Sequence, residues 1–177
     1  MSSDRVRRVT VTGSESTGKT SLARRLAQRF HTLWVPEFSR EYAVQKAAPL
    51  DATDVEPIAR GQVRAEDEVL PRARELAILD TDIVSTVVYA EHYYGSCPAW
   101  VDRTARERLA ELYLFCDIDA PWISDAVRDR PQARAEIHAA FAAQLARYGA
   151  PYALVRGSWE AREADAVAAV EELLSRR

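Results

Sequence analysis

The chain has 177 residues, of which 47% are hydrophobic and 29% are charged, a balance typical of a globular protein. The formal net charge of −3 lacks the basic excess of a broad nucleic-acid surface, so we expect a small-molecule partner and no nucleic acid. Because no apolar segment is long enough for a signal peptide or a membrane span, we expect a cytoplasmic protein with no membrane partner.

Strand and helix patterns alternate along the chain. Short apolar runs predict strands at 9–12, 33–35, 75–79, 112–116 and 152–155. Helical patterns follow at about 19–30, 39–46, 55–69, 83–93, 102–111, 134–147 and 160–174, and a capping box of Thr53 and Glu56 opens the third. This alternation predicts an α/β domain of three layers, with a parallel sheet covered on both faces, over residues 1–177.

A phosphate-loop signature lies between the first strand and the first helix. Its pattern, G-x-x-x-x-G-K-[ST], is complete at Gly13, Gly18, Lys19 and Thr20, and the alternative is an ordinary glycine turn. We expect the backbone N–H groups and Lys19 to bind the phosphates of ATP, and the Thr20 hydroxyl to bind Mg²⁺. The predicted nucleotide-binding residues are Gly13, Ser14, Glu15, Ser16, Thr17, Gly18, Lys19, Thr20 and Ser21, with Lys19 also catalytic.

Acidic residues follow two of the other predicted strands. Asp80 ends an apolar run and is the predicted second Mg²⁺ ligand and a catalytic residue, with Asp82 two positions on. Either acid could instead cap the helix that follows. Glu37 follows the second strand, and we expect it to face the same cleft unless it is exposed to solvent.

The segment 121–131 is charged and bounded by prolines. It places Arg128 and Arg130 at alternate positions just beyond a strand. Arginines on a closing lid can offset the charge that develops in phosphoryl transfer. The segment therefore predicts a short lid in which Arg128 is catalytic and both arginines contact the nucleotide, and the alternative is a solvated charged loop.

Several segments together resemble one family, the ribosylnicotinamide kinase domain of the NadR family, over nearly the whole chain. They are Gly13 to Thr20, Glu37-Phe38-Ser39-Arg40-Glu41-Tyr42, Ile58-Ala59-Arg60-Gly61-Gln62, Leu79-Asp80-Thr81-Asp82, Pro121-Trp122 with Asp125 and Arg128, and Gly157-Ser158-Trp159-Glu160-Ala161-Arg162. NadR proteins often carry an adenylyltransferase domain and sometimes a DNA-binding domain ahead of the kinase. The length of this chain leaves no room for either, so we do not expect those activities.

The resemblance implies a P-loop nucleoside-kinase fold, with a five-stranded parallel sheet flanked by helices and a short arginine-containing lid. It also implies transfer of the ATP γ-phosphate to the ribose 5′-hydroxyl of nicotinamide riboside, which gives nicotinamide mononucleotide in NAD salvage. Glu37 would be the general base or would orient the hydroxyl, and Arg162 would line the adenine side. The residues predicted to bind the acceptor are Glu37, Arg40, Tyr42, Gln62, Asp82 and Trp122.

Two alternatives remain. The chain could be a P-loop kinase for another nucleoside or small alcohol, because the fold does not determine the acceptor. It could also be a nucleotide-binding switch, although the Asn-Lys-x-Asp segment of many GTPases is absent, since Lys19 and Lys46 are the only lysines. The predicted cluster of acids, Glu37, Glu41, Asp80 and Asp82, favours a cationic acceptor such as nicotinamide riboside.

Overall fold

The structure is a computed structural model that describes residues 6–119 and 133–176. Five strands pair in parallel in the order β2-β3-β1-β4-β5, which confirms the predicted parallel sheet. They are β1 (Arg7–Thr12), β2 (Leu33–Val35), β3 (Leu76–Asp80), β4 (Leu112–Cys116) and β5 (Tyr152–Val155). The predicted lid, with Trp122, Arg128 and Arg130, lies outside the described residues.

The helices in the described ranges match the predicted ones in number and order. They are α1 (Lys19–Arg29), α2 (Phe38–Lys46), α3 (Val55–Val69), α4 (Ile83–Tyr94), α5 (Ala99–Glu107), α6 (Ala133–Tyr148) and α7 (Trp159–Ser175). None of these helices is long and apolar enough to cross a membrane.

Two local predictions were wrong. The fifth helix ends at Glu107 instead of 111, because the Arg8 side chain donates to the carbonyls of Arg108 and Leu109 at 3.0 and 2.6 Å and holds them outside the helix. The capping box before α3 is formed by Asp51 and Asp54 around a 3₁₀ turn, not by Thr53 and Glu56.

Alternating side chains on the strands build two cores. Val9 and Val11 of β1 point to the face covered by α1 and α7, where Leu22, Leu26 and Val170 are buried. Tyr113 and Phe115 of β4 point to the opposite face, which α4, α5 and α6 cover. The sheet is therefore buried between two layers of helices, as the sequence predicts.

The sheet register brings the phosphate loop, Asp80 and Glu37 to one edge of the sheet. Val11 of β1 pairs with Asp80 of β3, and Val35 of β2 pairs with Leu79. The carboxyl ends of these three neighbouring strands therefore lie side by side, and the loop after β1, the acid at the end of β3 and Glu37 after β2 share that edge. Ligands of open α/β sheets bind at this edge.

Candidate functional site

The loop between β1 and α1 requires its two glycines. Gly13 has a φ of +131° and Gly18 a φ of +81°, both in the region that side chains disfavour. A Cβ atom at Gly13 would lie 2.8 Å from the carbonyl oxygen of Cys116. Gly18 is the N-cap of α1, whose first turn contains no acid, so the positive end of the helix faces the loop without a neutralising carboxylate.

Lys19 bends back over this loop. Its Nζ donates to the carbonyl of Ser14 at 2.7 Å, and the Thr17 hydroxyl donates to the same carbonyl at 2.9 Å. Lys19 is 8% exposed, so its charge lies in a partly desolvated position at the start of α1. This geometry places a cation and a row of backbone N–H groups where a phosphate chain could bind.

Asp80 is the point at which the predicted catalytic residues converge. It is 1% exposed, and burial raises its pKa above the ordinary value. The Thr20 hydroxyl bonds to its carboxyl group and lowers its pKa, whereas the nearby charge of Glu37 raises it. Lys19 and Arg40 are also close enough to lower this pKa. The strand ends thus bring these five residues together, although they are far apart in the sequence.

The surroundings of Asp80 fit a magnesium ion. Its Oδ1 is buried and makes no hydrogen bond within the described part of the chain. The Thr20 hydroxyl lies against the same carboxyl group and is a second oxygen donor. Residues 6–119 and 133–176 contain no cluster of three His, Cys, Asp or Glu side chains that could hold a metal. Mg²⁺, however, takes only a few protein oxygens together with substrate phosphates and water, and Asp80 and Thr20 supply two of them.

Glu37 lies at the start of α2, beside the phosphate loop. Its Oε1 accepts from the Ser39 hydroxyl at 3.1 Å, and its Oε2 is 3.8 Å from Nε of Arg40. The side chain is 16% exposed. The carboxylate therefore lies at the N-terminus of α2 with most of its surface buried.

Arg162 joins three parts of the site and is itself buried. It donates to the carbonyls of Gly157 at 3.0 Å, Thr17 at 3.4 Å and Asp117 at 3.1 Å, and it pairs with the carboxylate of Asp119. These bonds connect the phosphate loop to the end of β4 and the start of α7. The sequence predicts that Arg162 contacts the nucleotide, and its bond to the Thr17 carbonyl places it against the phosphate loop, which its bonds within the protein also brace.

Sequence analysis missed two further contacts to the phosphate loop. Arg134, at the start of α6, donates to the carbonyl of Ser16 at 3.2 Å, and the Trp159 ring lies so close to Gly18 that a Cβ there would be 2.9 Å from it. Burial and the nearby Arg162 lower the pKa of Arg134. Arg134 lies in no recognised motif, and the segment that contains Trp159 does not show that its ring contacts Gly18, because both contacts arise from the packing of distant helices.

Asp82 lies in a different environment from the one predicted for an acceptor contact. It is 3% exposed and caps α4, with Oδ1 accepting from the N–H of Val84 at 3.0 Å. Its Oδ2 accepts from the hydroxyls of Tyr113 at 2.7 Å and Thr10 at 3.3 Å. Burial raises its pKa, and these hydrogen bonds lower it. The observed role is thus the helix cap that the sequence left open as an alternative.

Two other predicted acceptor residues also bond within the protein. The Tyr42 hydroxyl donates to Asp54 Oδ1 at 2.8 Å. Gln62 is 3% exposed and bridges the backbone of Phe38 to the side chain of Glu66. Arg40, in contrast, is exposed next to Glu37, so its guanidinium is accessible from the cleft.

Comparison with known proteins gives a family and a set of relatives. A family model described as an AAA domain matches residues 8–162. The trifunctional NAD biosynthesis/regulator protein NadR of Escherichia coli (strain K12) is 30% identical over 127 residues, which are 70% of this chain and 31% of that protein. The NadR protein of Salmonella typhimurium (strain LT2) matches with the same identity and coverage. The chain therefore spans about a third of the length of these curated relatives.

Solved structures share the fold. A crystal structure of NadR protein in complex with NR (nicotinamide riboside) superposes with a TM-score of 0.85 and 27% identity, covering 98% of this chain and 53% of that one. NadR protein in complex with NAD and AMP-PNP gives 0.82 and 28%, covering 98% of this chain and 51% of that one. A thymidylate kinase from Ehrlichia chaffeensis gives 0.71 at 13% identity, covering 93% of this chain and 98% of that one, which shows the fold alone.

Proposed function

We propose that this chain, which belongs to the AAA domain family, is an ATP-dependent kinase that phosphorylates the ribose 5′-hydroxyl of nicotinamide riboside. The observation that carries the proposal is that the phosphate loop, Asp80 and Glu37 follow the carboxyl ends of three neighbouring strands, where the charges of Lys19 and Glu37 act on the Asp80 carboxyl group. The chain is similar to two NadR structures, one described with nicotinamide riboside and one with AMP-PNP, which supports the choice of nicotinamide riboside and ATP as substrates. The product would be nicotinamide mononucleotide, in NAD salvage.

On the nucleotide side, the loop from Gly13 to Thr20 would hold the phosphates of ATP. The backbone N–H groups at the start of α1 would bind phosphate oxygens, and Lys19 would exchange its bond to Ser14 for the β- and γ-phosphates. Thr20 and Asp80 would hold Mg²⁺, which, when bound, supplies positive charge next to the phosphates. The backbone donors are fixed by the fold before the reaction, so only Lys19 must exchange a partner as the phosphates bind.

On the acceptor side, Glu37 would receive or orient the proton of the 5′-hydroxyl. Only β3 separates the strand that precedes Glu37 from the strand that precedes the phosphate loop, and the charge of Glu37 acts on Asp80 at the end of β3. Arg40 would partly offset the negative charge of Glu37 and Asp80. Arg128 and Arg130 would contact the transferred phosphoryl group from the proposed lid. Trp122 would contact the acceptor ring. Positioning of this kind, rather than covalent chemistry, supplies most of the rate enhancement in phosphoryl transfer.

The acceptor chemistry also suits the charge of the site. Nicotinamide riboside carries a permanent positive charge on its pyridinium ring, and Glu37 provides a carboxylate at the same edge of the sheet in addition to Asp80, which Mg²⁺ would occupy. Attraction between opposite charges at a partly buried site favours this cation over neutral nucleosides. Since both proposed substrates are intracellular metabolites, the proposal includes a cytoplasmic location.

The experiment is a product assay with the purified chain, ATP, Mg²⁺ and nicotinamide riboside. We expect ADP and nicotinamide mononucleotide in equal amounts by mass spectrometry, and neither product when ATP is omitted. Lys19→Ala is the matched control, because it removes the loop cation without changing the acceptor side. Formation of ADP without nicotinamide mononucleotide, or of neither product, would contradict the proposal. GTP binding without transfer would favour a switch protein instead.

A further inference from the structure

The start of α2 is capped by a side chain from another helix. Glu37 is the N-cap residue of α2, yet its side chain makes no capping bond to the helix. The first N–H of the helix, that of Phe38, instead donates to Oε1 of Gln62 on α3 at 3.1 Å. A side-chain acceptor at a helix start normally comes from the N-cap residue itself. Here Gln62 supplies an acceptor from another helix to the first N–H, and the Glu37 carboxylate contacts Ser39 and Arg40 instead.

The residue before Gln62 fits the same segment. A Cβ atom at Gly61 would lie only 1.9 Å from the Phe38 ring, so the absence of a side chain at Gly61 makes room for this ring against α3. Gly61 and Gln62 therefore contact Phe38 in two ways, through its ring and through its backbone N–H. Phe38 directly follows Glu37 in the chain, so fixing Phe38 fixes the backbone that carries the Glu37 carboxylate.

The orientation of the Gln62 amide is itself determined. Its Nε2 donates to Oε1 of Glu66 at 3.3 Å, and Oε2 of Glu66 accepts from Nη2 of Arg108 at 3.1 Å. Gln62 is 3% and Glu66 1% exposed, so neither side chain can exchange these partners readily for water. Because the backbone N–H of Phe38 can only donate, the oxygen of Gln62 faces Phe38 and its nitrogen faces Glu66.

We propose that Gln62 is a positioning residue, which caps α2 from the neighbouring helix and holds Glu37 in place for acceptor phosphorylation. This inference rests on the proposed function, because it acts through the role of Glu37 in that reaction. It replaces the predicted direct contact between Gln62 and the acceptor, since both polar atoms of Gln62 already bond within the protein. Glu66 orients Gln62, and Arg108 in turn holds Glu66.

The kinetic test combines Gln62→Ala with Glu37→Gln. Gln62→Ala is expected to lower kcat with nicotinamide riboside about tenfold, since small misplacements of a reacting group have effects of this size or larger. In the Glu37→Gln background the same substitution is expected to change kcat less than about twofold, because the residue through which it acts is already lost. An equal effect in both backgrounds, or a raised acceptor KM with unchanged kcat, would overturn the inference and indicate a direct contact.

A residue exchange tests the direction of the hydrogen bonds. Gln62→Glu places two carboxylates next to each other and is expected to impair kcat at least as much as Gln62→Ala. Adding Glu66→Gln restores a donor at position 66 and leaves an acceptor facing Phe38, so the double variant is expected to recover to within about threefold of Glu66→Gln alone. No recovery in the double variant would overturn the proposed network.

Amide hydrogen exchange at Phe38 separates this inference from the proposed function, because it requires no substrate. We expect Gln62→Ala to speed exchange of the Phe38 N–H about tenfold, the size expected for one lost hydrogen bond. Gln45→Ala is the matched control. Gln45 is exposed in the last turn of α2, and its side chain bonds to Glu41 on the same helix, away from Phe38. If the wild type phosphorylates no acceptor, the proposed function fails while this measurement still decides the capping. An unchanged exchange rate of the Phe38 N–H in Gln62→Ala would overturn the inference that Gln62 caps α2.

Discussion

The Nζ of Lys19 lies 2.7 Å from the carbonyl oxygen of Ser14, so the lysine of the phosphate loop bonds across its own loop. This bond keeps a desolvated cation next to the backbone N–H groups that start α1. A phosphate that replaces the Ser14 carbonyl as partner would meet a positive charge already in position. The cost of organising the site is thereby met during folding and not during the reaction.

Lys19→Ala tests this arrangement. We expect kcat to fall about a hundredfold, because a charge contact that strengthens in the transition state is worth several kcal/mol. The free energy of unfolding should fall by only about 1 kcal/mol, the value of one hydrogen bond. Steady-state kinetics and a thermal melt measure both, with Gln28→Ala on the exposed side of α1 as control. Retention of more than about a tenth of kcat would contradict the assignment.

Asp80→Asn and Glu37→Gln should differ in the ligand that they affect. Asp80 bonds to Thr20, so its substitution is expected to raise the Mg²⁺ concentration needed for half-maximal turnover about tenfold or more, while ATP still binds. Glu37→Gln is expected to lower kcat about a hundredfold at every Mg²⁺ concentration, because it removes the carboxylate proposed to receive or orient the proton of the 5′-hydroxyl. Separate titrations of Mg²⁺ and acceptor distinguish the variants. If both behave as the wild type in both titrations, the cleft is misassigned.

Arg162→Ala is expected to destabilise the protein by about 3 kcal/mol, because three carbonyls and one carboxylate lose a buried donor. The KM for ATP should rise with it, since Thr17 of the phosphate loop loses its brace. Arg162→Lys should recover only part of the stability, because an ammonium group lacks the planar fork.

The control for Arg162 is Arg29→Ala. The Arg29 guanidinium also connects α1 to α7, through Glu171 at 3.4 Å, but both side chains are 56% exposed. An exposed pair of this kind contributes less than about 1 kcal/mol. Denaturant unfolding compares the two variants, and equal losses of stability would contradict the role of Arg162 as a buried brace.

The raised pKa of Glu66 leads us to expect that the free energy of unfolding depends on pH. Burial, with the nearby charge of Asp82, raises its pKa from 4.5 to about 7, although Arg108 and Gln62 lower it. The folded pKa lies above the unfolded one, so the stabilising contribution of this group is complete below pH 4.5 and is lost as the pH rises to 7.

Relative to the wild type, Glu66→Gln should therefore gain stability over this pH range, by about 3 kcal/mol. Asp80 is present in both proteins, whereas Asp82 no longer faces the charge of Glu66 in the variant, so the difference includes the interaction between these two acids. Denaturant unfolding at pH values from 4.5 to 7.5 measures the difference. A difference that stays constant with pH would show that Glu66 titrates as an ordinary carboxyl group.

Local signals in the sequence predicted the features that depend on neighbouring residues. The phosphate loop needs only its glycines and the strand and helix on either side, and the five strands follow from apolar runs between turns. The end of the third strand likewise places Asp80 at the correct edge of the sheet.

Side-chain partners across the fold could not be predicted in the same way. Asp82 follows Asp80 by two residues, yet its carboxylate turns inward to Tyr113, a partner on another strand. Likewise, nothing in the sequence shows that the backbone N–H of Phe38 donates to Gln62 at 3.1 Å. The contacts of Arg134 and Trp159 with the phosphate loop depend in the same way on how distant helices pack.

A competition assay tests the central claim most directly. The purified chain receives ATP, Mg²⁺ and an equimolar mixture of nicotinamide riboside, nicotinic acid riboside, adenosine, uridine and thymidine, and the initial ratio of the 5′-monophosphates gives the ratio of kcat/KM values. We expect nicotinamide mononucleotide to form at least about tenfold faster than any other product, which requires only ~1.4 kcal/mol of differential transition-state binding. A neutral nucleoside phosphorylated as fast as nicotinamide riboside would contradict the proposed acceptor.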